Sequence, residues 1–349
     1  MEKNKPQVTV LTLVYNGLPF LKDSIESTLS QTYKDFKFLI LDDASPDPDV
    51  SKLIESYDDK RIEYVRNENN MGVADSFNKA LKLIDTPYTI RIDQDDINTP
   101  DRVKDQLEFL QNNEKISIIC SWEHTIDSDG RLGRDWKRSC KNYGEFIGPV
   151  LLCICPIWHP SIAFKTQDMI EAGGFKKEYT RAEDFEVTAR IAFKRYEASI
   201  LPSFHLYQRQ HESSQSKEFE SEQTKMANKI QKEIIAQFLE SDDVDELASF
   251  LRLEQILFKL SKKQLKDFSQ KTKKLLNSVR LKRKLNSKEY RSLCKIFIRR
   301  IGLGFMIEKT FSFLPGKLYI FVFSVFSPQF DNRVRSKFKK IYNYITNSY

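Results

Sequence analysis

The chain has 349 residues, 40% of them hydrophobic, and a formal net charge of +7. That length allows two domains, or one large domain with an extension, and the apolar share allows a sizeable core. Four scattered histidines and five cysteines (Cys120, Cys140, Cys153, Cys155, Cys294) show neither a disulfide framework nor zinc-ligand spacing.

Residues 1–6 are polar and the apolar run that follows is short and strand-like. No secretory leader is expected, which implies a reducing, cytosolic setting. Val8 to Val14 reads as a buried strand, followed by the turn residues Asn16 and Gly17. Pro19 suits a first helical turn, and Leu21, Ile25 and Leu29 then recur at helical spacing. Phe36 to Leu41 predicts a second strand ending at Asp42–Asp43, and Ile62 to Val65 a third. Gly72 to Ile84 predicts a helix, and Tyr88 to Ile92 a strand. Thr99 can cap, and Pro100 start, a helix running to about Gln111, with a strand at Ile116 to Cys120 beyond it. A further strand is expected at Ser161 to Phe164, and a helix from Glu183. From about Phe219 the period becomes helical over Phe219 to Leu239, Val244 to Leu260, Lys262 to Val279 and Ser287 to Ile301.

This β–α alternation implies an α/β fold: a mostly parallel sheet with helices on both faces, followed by a C-terminal helical extension. Ligands in such sheets bind beyond the carboxyl ends of the strands. The polar clusters Tyr15–Asn16, Asp42–Asp43 and Asp93–Asp96 all follow strands, so one cleft should gather them. Asp93, Asp95 and Asp96 repel one another and suit a hard divalent cation, which oxygen ligands favour. Mg²⁺ is usually held by one or two carboxylates plus substrate phosphates, which points to a nucleotide-diphosphate enzyme. A solvated acidic turn is the competing reading of that segment alone.

The stretches "TLVYNGLPFLKDSIESTLSQTYKDFKFLILDDASPD" and "RIDQDDINTPDRV" resemble the family 2 inverting glycosyltransferases of the bacterial surface-polysaccharide type, which have the Rossmann-like GT-A fold. The resemblance spans residues 7–216, taken as the nucleotide-sugar domain. Residues 217–349 form the helical, basic remainder. It implies that Asp43 contacts the base of the donor, where a carboxylate can accept the imide N–H of uracil. It places Thr12 and Tyr15 at nucleotide contacts, although either could pack in the core or at its rim. Asp93-Gln94-Asp95 matches the family's D-x-D. On this reading Asp95 is the first choice as ligand for Mn²⁺ or Mg²⁺, Asp93 supports the ribose or donor sugar, and Asp96 is a second ligand or a helix cap.

In "TRAEDFEVTARIAF" the resemblance makes Asp184 the general base, with Glu183 orienting the acceptor. Acids at a helix start also satisfy its dipole, and that reading stays open. "YQRQHESSQS" resembles a Y-R-x-H-x-x-S-x-S segment, but Arg209 lies two residues after Tyr207 rather than one. His211 is placed near the metal or diphosphate, with a structural role as the alternative. Trp158 and His159 are placed at the acceptor cleft, with packing as the alternative.

The net charge divides unevenly. Residues 271–349 hold 19 Lys+Arg against 3 Asp+Glu, and residues 1–270 hold 37 against 46. The basic tail, with the apolar stretch 311–326, suggests peripheral attachment to the anionic inner face of the cell membrane. A small helical domain with a charged outside is the alternative.

The whole predicts an inverting hexosyltransferase. It would use a UDP-sugar, UDP-galactose or UDP-glucose being the nearest, and a glycan acceptor linked to polyprenyl diphosphate. A metal-dependent nucleotidyltransferase would usually need a Gly/Arg/Lys-rich phosphate loop, which is lacking after Val14. A nucleic-acid binder using the tail fits poorly with an acidic body.

Overall fold

The computed structural model describes residues 5–194, 196–211, 220–252 and 262–301. The elements run β1 (Val8–Val14), α1 (Leu21–Leu29), β2 (Lys37–Asp42), α2 (Pro48–Glu55), β3 (Ile62–Arg66), α3 (Gly72–Leu83), β4 (Tyr88–Arg91), β5 (Ile97–Asn98), α4 (Arg102–Asn112), β6 (Ile116–Ile126) and β7 (Leu132–Trp136). They continue α5 (Tyr143–Leu151), β8 (Ala163–Lys165), α6 (Thr166–Ala172), α7 (Glu183–Phe193), β9 (Glu197–Arg209), α8 (Glu220–Ala236), α9 (Ser241–Arg252), α10 (Lys262–Lys282) and α11 (Ser287–Ile301).

Among the described residues nine strands form one sheet in the order β3-β2-β1-β4-β8-β6-β9-β5, with β7 paired to β6. The expected parallel character belongs to β3, β2, β1 and β4, and to the β6–β9 pair. Strand β8 runs antiparallel to both β4 and β6, β7 runs antiparallel to β6, and β5 antiparallel to β9. The sheet is therefore mixed. The strand-then-helix rhythm that suggested parallel pairing breaks after α4, where β6 turns directly into the hairpin strand β7.

Strand β1 is buried on both faces, which is why it reads as a continuous apolar run. Val8, Val10 and Val14 pack with Leu21 and Ile25 of α1, Val50 and Ile54 of α2, and Val103 and Leu107 of α4. Leu11 points the other way, packing with Phe77 and Ala80 of α3, Phe146 of α5 and Val187 of α7. Helices thus cover both faces, as the alternation implies.

Several ends differ from the sequence reading. Helix α1 starts at Leu21, after Pro19 rather than at it. Helix α4 starts at Arg102, and neither Thr99 nor Asp101 caps it through a side chain. Gln31, just beyond α1, supplies that cap: its Oε1 accepts the N–H of Val103 at 2.9 Å. Asp47 and Pro48 open α2 in the usual way, with the Asp47 carboxylate accepting the N–H of Asp49 at 2.9 Å.

The later helices share the core of the sheet domain. Ile234 and Phe238 (from and just after α8), Leu247 of α9, Leu275 and Val279 of α10, and Phe297 of α11 join the cluster that holds Leu11 and Phe146. Helix α11 lies directly on α5. A Cβ on Gly144 would stand 2.0 Å from the Glu289 carbonyl oxygen, and one on Gly148 would stand 3.0 Å from Ile296. Helix α5 is bonded to α7 by Tyr143, whose hydroxyl donates to the Ala192 carbonyl. Arg283 donates to the Phe193 carbonyl at the same, C-terminal end of α7. Among the described residues no helix is long and apolar enough to cross a membrane. The stretch 311–326 lies outside the described residues.

Candidate active site

The carboxyl edge of the parallel strands is stitched together by side chains. Tyr15, after β1, and Gln94, after β4, exchange two bonds: Tyr15 N–H donates to Gln94 Oε1 at 2.8 Å, and Gln94 Nε2 donates to the Tyr15 carbonyl at 3.0 Å. Gly17 leaves room for this pair: a Cβ there would stand 2.9 Å from Gln94 Oε1 and push that side chain aside. Asn16 N–H donates to Ser45 Oγ at 3.1 Å, which joins the β1 and β2 ends. Three of the predicted clusters therefore do meet along one edge.

Asp42 is wholly structural. It is buried and accepts from Tyr64, Arg66 and the Ser45 N–H. Asp43 caps α3 from a distance: Oδ1 accepts from Asn67 Nδ2 at 2.7 Å and Met71 N–H at 2.8 Å, and Oδ2 accepts from Gly72 N–H at 2.8 Å. A carboxylate has about four acceptor positions. Asp43 can hold α3 and still receive one N–H from a ligand. Tyr15, 45% exposed, stands at the same edge with its ring open to solvent. Thr12 is fully buried within β1, and its Oγ1 makes no hydrogen bond.

Beyond β4, Asp93 pairs with Arg91 at 2.6 Å, and Asp95 Oδ2 lies 2.9 Å from His211 Nε2. Burial, reinforced by the Asp93 charge, raises the Asp95 pKa. Asp96 is not the cap of α4, which Gln31 supplies. It is 2% exposed and its Oδ1 accepts the Arg209 N–H at 2.8 Å. Burial, with Asp95 beside it, lifts its pKa well above the carboxylate range. The displaced Arg209 of the sequence motif is a clamp: it donates to the Asp95 carbonyl, pairs with Asp23 at 2.9 Å and lies 4.5 Å over Phe20. Phe20 in turn rests against the His211 ring at 5.1 Å. Ser213 and Ser216 of that motif lie outside the described residues.

No group of three or more His, Cys, Asp or Glu converges on a metal position among the described residues. The donor set nonetheless fits a divalent ion that takes substrate oxygens as well: one carboxylate at Asp95, one imidazole at His211, and a second carboxylate, Asp93, whose charge the ion would offset.

Helix α7 brings up the second pair of acids. Asp184 Oδ1 accepts the N–H of Phe185 at 2.7 Å. Glu183 Oε2 is buried with no hydrogen-bond partner, and burial raises the Glu183 pKa while the Arg91 charge opposes it. His159 is corrected from the cleft wall to a support beneath it. It is 4% exposed, and its Nε2 lies 3.0 Å from Thr188 Oγ1 of α7. Burial pushes its pKa down to about 4, against the pull of the Asp184 and Asp93 charges, so it is neutral at physiological pH. Arg91 and His159 therefore both sense the acids of β4 and those of α7, which places Asp93 and the Glu183–Asp184 pair in one electrostatic neighbourhood. Trp158 is half-buried, with one indole face toward Trp136 at 5.3 Å.

Sequence reasoning missed Arg91, although it opens the acidic motif as its one cation. It also missed Gln94 and Asn67, for which only the fold provides partners, and Glu123, which only the fold buries. Glu123 is 1% exposed in β6, and burial pushes its carboxyl up to about 8 from 4.5. A raised folded-state pKa means that the native protein binds the extra proton. Stability should therefore be greatest below about pH 4.5 for this group and decline as pH rises through about 8, with a slope of up to about 1.4 kcal/mol per pH unit. Urea unfolding of Glu123→Gln across this window is expected to show a flatter profile than the parent; an unchanged profile would mean that Glu123 does not titrate there.

Comparison with known proteins agrees with this geometry. The family model described as glycosyl transferase family 2 matches residues 9–171. An uncharacterised glycosyltransferase of Methanocaldococcus jannaschii is 31% identical over 206 residues, 58% of this chain and 70% of the relative. The chain belongs to glycosyl transferase family 2. A second family member, an uncharacterised glycosyltransferase of Haemophilus influenzae, is 28% identical over 253 residues, 70% of this chain and 77% of its own. The crystal structure of S. aureus TarS 1–349 in complex with UDP-GlcNAc superposes with a TM-score of 0.53 at 15% identity, covering 85% of this chain and 88% of that one. That likeness is one of fold: a GT-A sheet domain followed by helices.

Proposed function

We propose that this glycosyltransferase moves a hexosyl group from a UDP-sugar to a hydroxyl of a glycan acceptor, by a single displacement that inverts the anomeric centre. The observation that carries the reading is the Arg91–Asp93 pair at 2.6 Å, lying within electrostatic reach of Glu183 and of the His159 that senses Asp184. It supports a site in which donor-side and acceptor-side acids face one reacting carbon. Tyr15 stacks on the base and Asp43 accepts its imide N–H through the vacant position on Oδ2. Asp93 holds the ribose or donor sugar. Asp184 takes the acceptor hydroxyl proton while that oxygen forms its bond to the anomeric carbon. The bond from that carbon to the diphosphate oxygen breaks, and UDP leaves with the electron pair. Glu183 orients the acceptor. Mn²⁺ or Mg²⁺, held by Asp95 with His211 beside it, supplies electrostatic stabilisation of the leaving diphosphate.

The deciding experiment incubates the protein with Mn²⁺ and each common UDP-, GDP- and dTDP-sugar and measures nucleotide release. Release from UDP-hexoses is expected. Silence with every donor, with and without a polyprenyl-diphosphate sugar, would remove the reading. Asp95→Ala is expected to weaken Mn²⁺-dependent UDP binding by about tenfold or more, the loss of one strong charged contact. Calorimetric titration would show it, and an unchanged affinity would reassign the metal.

The acceptor is taken to be lipid-linked, in surface-polysaccharide synthesis on the inner face of the cell membrane. Residues 217–349 are taken as the attachment region. Leu281, 77% exposed, sits among Arg280, Lys282 and Lys284, and Lys288, Arg291 and Lys295 are exposed along α11. This pattern suits an anionic lipid surface. The chain is expected to co-sediment with phosphatidylglycerol vesicles and not with phosphatidylcholine vesicles; equal behaviour with both would remove the membrane assignment.

A further inference from the structure

Four buried polar atoms on one face of the β6–β7 hairpin lack partners. Both carboxylate oxygens of Glu123, the indole Nε1 of Trp136 and the indole Nε1 of Trp158 make no hydrogen bond. Glu123 and Trp136 are directly paired across the β6–β7 ladder, so their side chains leave the sheet on the same side. Trp136 stacks on Trp158 at 5.3 Å and 24°, and the Arg138 guanidinium lies 4.7 Å from the Trp158 ring centre. The Ser161 hydroxyl lies close enough to Glu123 to hold its pKa down, but its one proton has the carbonyls of Ser121 and Trp158, at 3.3 and 3.4 Å, as its hydrogen-bonded acceptors. Trp122, on the same hairpin, shows the contrast: its indole N–H is satisfied by the Arg138 carbonyl at 2.9 Å.

An unmade bond to a buried polar group costs about 1–3 kcal/mol. Several such groups in contiguous side chains describe a site waiting for a ligand that donates and accepts at short intervals. We propose that Glu123, Trp136 and Trp158 form a subsite for a pyranose ring of the acceptor, its hydroxyls meeting the carboxyl and the indole N–H groups and its C–H face lying on the tryptophans. Position favours a sugar over another polar ligand. Trp158 precedes His159, which senses Asp184, and the Cys155 thiol beside it senses Asp184 too. Arg138 donates to the Cys155 carbonyl at 2.6 Å, which ties the hairpin to that loop. A ring held there lies beside the proposed base. Because burial keeps Glu123 protonated near neutral pH, its carboxyl can give one hydrogen bond and take another.

The inference rests on the transferase reading, and the two can fail separately. The chain has three tryptophans, all on or beside this hairpin, so intrinsic fluorescence reports the subsite directly. The protein is titrated with methyl β-D-glucopyranoside, methyl β-D-galactopyranoside and methyl α-D-mannopyranoside, with and without UDP and Mn²⁺. A saturable change with at least one glycoside is expected. Its Kd should rise about tenfold in Trp136→Phe, which keeps an aromatic plane but loses the N–H, and in Glu123→Met, which fills the space but can neither give nor take such a bond. No saturable change with any glycoside, or an affinity unchanged in both variants, would overturn the proposal and leave water as the occupant. Nucleotide release from UDP-hexoses without glycoside binding would sink the subsite alone. Glycoside binding without nucleotide release would sink the donor reading alone.

Discussion

Asp184→Asn is expected to lower the transfer rate by about 10²–10⁴-fold, the contribution usual for a positioned general base, while leaving UDP affinity intact. Asparagine keeps the shape and can still accept the N–H of Phe185 through its amide oxygen, so α7 should start as before. What it loses is the ability to take a proton. The measurement pairs steady-state transfer with calorimetric UDP binding. Retained turnover would hand the base role to another group, Glu183 first. Loss of UDP binding along with turnover would show that the substitution had disturbed the donor edge, and would not count for the base. A pH profile separates the cases further, because removal of the base abolishes the acid limb of the rate and a merely structural change does not.

Arg102→Met should be the most destabilising single change outside the reacting groups, by about 3–5 kcal/mol. Arg102 is fully buried, and its guanidinium donates to Asn98 Oδ1 at 2.7 Å, Gln106 Oε1 at 3.2 Å, the Pro160 carbonyl at 3.2 Å and the Arg91 carbonyl. Burial, with the Arg91 charge adding to it and the nearby acids opposing it, pushes its pKa down to about 10, still well above neutral, so it remains charged. Methionine fills much of the volume but leaves those acceptors unpaired and removes the positive charge closest to Glu123. Thermal unfolding should show a fall in Tm of roughly 4–7 °C for a chain of this size. A fall of only a degree or two would mean that water replaces the guanidinium. The same residue links β4, which carries Asp93, to the turn that carries His159. A folded variant should therefore also lose activity out of proportion to its lost stability.

Legibility in the sequence followed how local each cause was. Strands β1, β2 and β4 were legible because burial on both faces writes an unbroken apolar run. Helix α11 was legible to the residue because its exposed Lys288, Arg291 and Lys295 alternate with buried Leu293, Cys294 and Phe297 at helical spacing. The start of α4 was misplaced because its cap comes from Gln31, 72 residues away in sequence from Val103. Asp43 read foremost as a ligand group, with a cap of its own loop as the alternative, yet the helix it caps is α3, through contacts 28 and 29 residues away. The hairpin strand β7 is exposed at four of its five residues and has no apolar signature. Strand β9 is half-buried along a register that shifts against β6, so neither period marks it. The acids were readable as a set. Which of them the fold buries against its own chain (Asp42, Asp96) was not, because burial and the Arg66 and Arg209 contacts are made only when the chain folds.

The two glycines that let α11 lie against α5 have a mechanical corollary. With no side chain at Gly144 or Gly148 to yield, the two helices share a rigid seam, and Tyr143 bolts that seam to α7. A tilt imposed on the outer, positively charged side of α11 would be geared to the C-terminal end of α7, about two and a half turns from Glu183 and Asp184.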